Sequence, residues 1–186
     1  MATAWQFTKA LHSGGAAQGE LGVLFQNRDF DVTLGRRGGI KQLMSFPFRS
    51  PRDQVGGICV LGRILDKIRY FAEHGSLPDG YHLGPIEGAR TFDDRICRFL
   101  GVSYEALTKR TLEGGSDEEV LEWCFENGRR PDAEQIEVWN GFMHKRGWRD
   151  GASAGLLKQK TEAGFGARDD IQVFFDLMDV EEGRTP

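Results

Sequence analysis

Residues 50–74 read SPRDQVGGICVLGRILDKIRYFAEH, and their reading decides the fold. Ser50 at a capping position, Pro51 at a first helical position and the acid Asp53 together form a helix-start signature. Leu61, Ile64, Leu65, Ile68, Phe71 and Ala72 then recur at the spacing of one face of a 3.6-residue helix. Arg63, Asp66, Lys67, Arg69 and Tyr70 fall on the opposite face. The expectation is one amphipathic helix from Ser50 to His74, weakened by Gly56, Gly57 and Gly62.

Downstream, a Gly- and Pro-rich loop from Gly75 to Arg90 precedes a run of helix starts and stops. Thr91, Ser103, Ser116 with Glu119, and Asp132 with Gln135 are N-caps, the last two completed as capping boxes. Gly101, Gly128 and Gly147 are stops. Ile136, Trp139, Phe142 and Met143 form the apolar face of the helix after Asp132. Further helices are expected over 153–162 and 169–180. Upstream, Gly22–Gln26 and Phe30–Leu34, separated by Asn27, Arg28 and Asp29, read as a hairpin that must pack on helices to be stable. No repeat of 20–50 residues appears, so a solenoid is excluded. The fold class is mainly α, an irregular multi-helix bundle with a short N-terminal β-hairpin. Residues 1–47 form the hairpin and extended segment, and 48–186 the helical domain, in a single folding unit.

The composition narrows the function classes. No apolar run approaches the roughly 20 residues of a membrane span, and Met1–Leu11 lacks the pattern of a secretory signal. A soluble, cytoplasmic protein without membrane partners is expected. Cys59, Cys97 and Cys124 are far apart within apolar helical patterns, which fits buried thiols better than a zinc site. The net charge of −4 argues against a nucleic-acid partner. That charge is uneven: residues 36–69 hold eight basic side chains against two acidic ones, and residues 113–137 hold nine acidic against two basic. The two segments face each other or water, or the basic one forms an anion site.

Candidate chemistry concentrates at two places. In the last helix Ile171, Phe174, Phe175 and Met178 form one apolar stripe and Val173, Leu177 and Val180 a second, leaving a polar edge of Asp169, Gln172, Asp176 and Asp179. Carboxylates near a helix C-terminus are opposed by the helix dipole. Either Arg184 or a basic residue from 36–69 offsets that cost, or a divalent cation does, and carboxylates select magnesium, manganese or calcium. Asp170, Asp176 and Asp179 are the metal-ligand candidates. At the Ser50 helix start, backbone N–H groups with Ser50, Arg49 and Arg52 suit an anion, although capping alone accounts for the same residues. Tyr81 and His82 sit in the long loop, a common place for active-site side chains. The four histidines lack metal-helix spacing. Trp5, Trp123, Trp139 and Trp148 read as core anchors, and Trp139 with Asn140 is an aromatic–amide pair suited to a pocket wall.

Ser50-Pro51-Arg52, Gly56-Gly57, the run from Leu61 to Arg69, Phe99-Leu100-Gly101, Ser116–Glu119 and Trp123 together resemble a bacterial family known as domain of unknown function 5069. Arg168–Ile171, Phe175–Asp179 and Glu182–Arg184 resemble that family's C-terminus, and the likeness spans residues 48–184. It implies no activity. It does imply a shared site among Ser50, Arg52, Asp66, Lys67, Tyr81, Asp170, Asp176 and Asp179. The resulting expectation is a small-molecule enzyme or ligand-binding domain with its pocket between the 50–74 helix and the final helix. Ser50, Arg52, Lys67 and Arg69 would hold an anionic group, and Trp139 and Asn140 would line the pocket. Asp66, Asp176 or Asp179 would act as general base or metal ligand, and Tyr81 as an acid. The alternative is a non-catalytic interaction module whose charged residues form a structural salt-bridge network.

Overall fold

A computed structural model describes residues 46–186. Within them lie a two-stranded antiparallel sheet, β1 (Gln54–Val55) and β2 (Ile58–Cys59), and seven helices. The helices are α1 (Leu61–His74), α2 (Phe92–Leu100), α3 (Tyr104–Leu112), α4 (Asp117–Asn127), α5 (Ala133–His144), α6 (Ser153–Glu162) and α7 (Phe174–Glu181). The class is mainly α, as the periodicity predicts. The hairpin expected over 22–34, Trp5 and His12 lie outside the described residues.

The caps fall where the side-chain chemistry places them. Thr91 and Ser103 accept from the N–H groups of Asp94 and Ala106, and Ser116 and Asp132 form full capping boxes with Glu119 and Gln135. The Ser50 signature behaves differently. Asp53 N donates to Ser50 O at 3.1 Å, and Ser50 Oγ accepts from Arg52 N, so the capping residues close a turn instead of opening a helix. Gly56 and Gly57, at φ 55° and 83°, then supply the two positive-φ positions of a type I′-like hairpin turn. Helix α1 therefore starts eleven residues after the expected cap, at Leu61, and Cys59 lies on a strand.

A six-residue hairpin needs support. Asn140 and Trp139 on α5 supply it. Cys59 N donates to Asn140 Oδ1 (3.1 Å), Asn140 Nδ2 donates to Gly57 O (2.7 Å), and Trp139 Nε1 donates to Cys59 O (3.3 Å). The side-chain amide takes the place of a third strand. This clamp sets up Val60, which is buried at φ 78°, an uncommon backbone for a β-branched residue, and donates its N–H to Pro51 O (3.0 Å) before α1 begins.

Around this corner the first two turns of α1 are enclosed on nearly every side, so Arg63 and Lys67, from the helix's polar face, are buried with Leu61, Ile64, Leu65 and Ile68. Ile96, Leu100, Leu107, Val120, Cys124, Met143 and Phe175 complete the main core. A smaller cluster joins Leu156, Ile171 and Leu177. All three thiols are buried and free, and burial pushes Cys59 and Cys97 up to about 12 and Cys124 to about 11. The expected apolar face of α5 is only half internal: Phe142 is exposed, as is Trp148 beyond the helix. No helix among the described residues is long and apolar enough to cross a membrane.

Replacing Asn140 with alanine strips partners from the Cys59 N–H and the Gly57 carbonyl. The expected cost is about 1–3 kcal/mol, which lowers Tm by roughly 2–4 °C per kcal/mol at this chain length. A thermal melt of Asn140→Ala indistinguishable from wild type would contradict the clamp.

Candidate functional site

Two polar assemblies meet along α1. The first ties the segment before β1 to α1, α4 and α7 through paired charges. Arg49 holds Asp66 bidentately (2.8 and 2.7 Å) and Asp117 by its other Nη (2.7 Å), while Arg69 reaches the second Asp117 oxygen at 2.6 Å. Arg49 crosses α1 at Gly62, where an added Cβ would lie 2.6 Å from its guanidinium. The basic 49–69 segment thus meets the start of the acidic 113–137 segment directly. On the other side Arg52 bonds Asp176 and Asp179, Ser50 Oγ donates to Asp179 (3.1 Å), and Arg184 donates to Asp179 (2.8 Å) and to Glu182. Buried Arg63 pairs with Glu182, which also accepts from Tyr81 OH at 2.7 Å.

These contacts relocate most of the expected site. Ser50 and Arg52 are spent on Asp176 and Asp179, Asp66 on Arg49, and Arg69 on Asp117. Asp176 additionally accepts from the N–H groups of Gln172 (2.8 Å) and Val173 (3.0 Å), which starts α7 at Phe174 and not at Asp169. Asp170 stands apart, exposed and paired with Arg168. Asp170, Asp176 and Asp179 therefore do not share one face, and among the described residues no group of three or more His, Cys, Asp or Glu side chains is placed to hold a metal ion. Arg184 and Arg52 offset the acids of α7. Trp139 and Asn140 belong to the hairpin clamp.

The second assembly lines a cavity of about 690 Å³ between α1, the 78–90 loop, α2 and α7. Val60, Ile64, Phe92, Phe174 and Met178 give it apolar walls, and Arg63, Lys67, Tyr81 and Asp93 converge on it. Lys67 Nζ donates to both Asp93 oxygens (2.7 and 2.8 Å) and to His82 O (3.2 Å), and Gly84 N donates to Asp93 Oδ2 (2.8 Å). Burial lowers the Lys67 pKa against the opposing pull of Asp93. Burial also raises the Tyr81 phenol, with Arg63 opposing. Lys67, Tyr81 and His82 are the expected residues that reach the cavity.

Arg63, Asp93 and Glu182 were not anticipated. Asp93 lies in the first turn of α2, and the periodicity marks Arg63 only as part of the face opposite Leu61 and Ile64. The spacing of Arg63 and Lys67, one turn apart on α1, is the local signal that both point the same way.

The model of a family described as "Domain of unknown function (DUF5069)" matches residues 45–184. The chain belongs to this family. Both polar assemblies and the cavity are built within the matched span. No curated protein matches the chain.

Asp117 gives a pH test of the first assembly. Burial pushes its pKa up, but the hydrogen bonds from Arg69 and Arg49 outweigh it and hold the carboxyl below the usual aspartate value. Its folded pKa lies below the unfolded one, so its stabilisation is complete above about pH 3.9 and is lost as pH falls through the lower folded value. Asp117→Asn should be less stable than wild type in urea at pH 7, with a gap that narrows below pH ~4. An equal gap at both pH values would contradict the pairing.

Proposed function

We propose that this protein binds a small organic molecule in the cavity between α1 and α7, with Lys67, Asp93, Arg63 and Tyr81 as the polar groups that orient it. The observation that carries the reading is the convergence of these four side chains on a largely apolar space of about 690 Å³. That size lies within the range of small-molecule sites, which combine apolar walls with a few placed polar groups. Lys67 is the group suited to move a proton at a bound ligand, since burial lowers its pKa toward neutrality, whereas burial raises the Tyr81 phenol and keeps it a hydrogen-bond donor. In this reading Asp93 replaces Asp66 and Asp176 as the carboxylate at the site. A divalent cation at Asp170, Asp176 and Asp179 has no support in their arrangement.

A second reading, a non-catalytic interaction module, draws support from a specific observation. Ser50, Arg52, Asp66, Arg69, Asp176 and Asp179 each have a hydrogen-bonded or ion-pair partner within the first assembly, as a structural network requires. The two readings part on whether the cavity accepts a ligand.

An uncharged fluorescent probe, phenylnaphthylamine, should bind wild type at one site per chain. Ala89→Trp, which places an indole in the cavity from an exposed loop position, should abolish that binding without lowering Tm. Binding that persists in the variant, or none in wild type up to the probe's solubility, contradicts the proposal.

A further inference from the structure

We infer that the cavity rim carries an anion subsite, built by Arg95 with Arg90 and Arg146, that takes the phosphate, sulfonate or carboxylate head of an amphipathic organic anion. The inference rests on the ligand-binding reading above and names its ligand class. Five arginine or lysine side chains line the cavity, and four have carboxylate partners. Arg63 has Glu182, Lys67 has Asp93, Arg146 has Asp150 at 2.5 Å, and Arg90 has Asp94 at 3.9 Å. The side chain of Arg95, half-buried on α2, makes no hydrogen bond and no ion pair among the described residues.

The nearby acids are already engaged. Asp94 also pairs with Arg98 at 2.8 Å. Asp150 accepts from Arg146, from Gly147 N (3.2 Å) and from Ala152 N (2.8 Å). Asp79 and Glu181 line the same cavity, and neither pairs with Arg95. A partly desolvated cation without a counter-charge is costly, and Arg90 and Arg146 add like charge to it. Burial first, then those two arginines, lower the Arg95 pKa, with Asp94 and Asp150 opposing. An anionic ligand removes that cost.

The site is also held in place before any ligand arrives. The Arg95 and Arg146 guanidiniums each sit 5.5 Å from the centre of the Phe142 ring, which limits their rotation. Ala152, where α6 begins without a side-chain cap, lines the same cavity, so the positive end of that helix dipole adds to the field. A guanidinium can grip phosphate, sulfonate or carboxylate bidentately, while Ile64, Phe92, Phe174 and Met178 face the apolar body.

The test compares anilinonaphthalenesulfonate, an anionic probe, with uncharged phenylnaphthylamine of similar aromatic body. Arg95→Gln should weaken the anionic probe about tenfold or more, the loss of one charge-assisted hydrogen bond, and leave the neutral probe unchanged. Its Tm should equal or exceed that of wild type, because an uncompensated cation is removed. Arg98→Gln, on the same helix but exposed and off the cavity, should alter neither probe. If both probes bind and Arg95→Gln weakens neither, the anion subsite is wrong and the cavity reading stands. If neither probe binds wild type, the cavity reading fails and the subsite with it.

Discussion

The constraint on which the rest depends is the buried carboxylate of Glu182. It ends α7, where the helix dipole opposes a negative charge, yet its side chain is fully enclosed. Three donors from three parts of the chain make that placement tolerable: Arg63 of α1, Tyr81 of the long loop, and Arg184 two residues on. Arg63 also donates to Arg49 O (2.9 Å), and its guanidinium lies 5.6 Å from the ring centres of both Phe48 and Tyr81. Burying such ions yields little net stability by itself, but removing one partner leaves a bare buried charge, at a cost of about 3–5 kcal/mol. The cluster therefore acts chiefly as a specifier: α7 has one way to dock on α1, and the cavity between them takes its shape from that docking.

The local grammar of the chain was readable. Thr91, Ser103, Ser116 and Asp132 are caps because their oxygens meet the free N–H groups of the turn that follows, a relation confined to three residues of sequence. Ser50 carries the same chemistry and closes a β-turn. What distinguishes it is Gly56-Gly57, a pair that reads as a weak point in a helix and serves as the positive-φ corner of a hairpin. The clamp from Asn140, more than 80 residues away, has no signature in the hairpin's own sequence.

The site was legible in residue type and much less in partnership. Lys67 and Tyr81 reach the cavity, whereas Arg52, Asp176 and Asp179 form the brace beside it. Helical spacing shows which side chains share a face of one element, and both groups satisfy that criterion. Which element covers the face decides between ligand and salt bridge, and that depends on long-range packing. Asp93 shows the limit from the other side: a first-turn acid needs no explanation beyond the helix dipole, so nothing marked it as the partner of a lysine on α1. Arg95 escaped notice because an unpaired cation stands out only once its neighbours' partners are known.

The most direct test of the account is native-state hydrogen exchange at α7 and α1 in wild type and Glu182→Gln. If Glu182 locks the two helices into one unit, the amides of Leu177–Val180 and of Ile64–Ile68 exchange in wild type through a shared opening, and the substitution lowers the protection of both. If α7 amides exchange by local opening in wild type while α1 stays protected, or if the substitution leaves the protection of α1 unchanged, the buried carboxylate does not organise the fold as described.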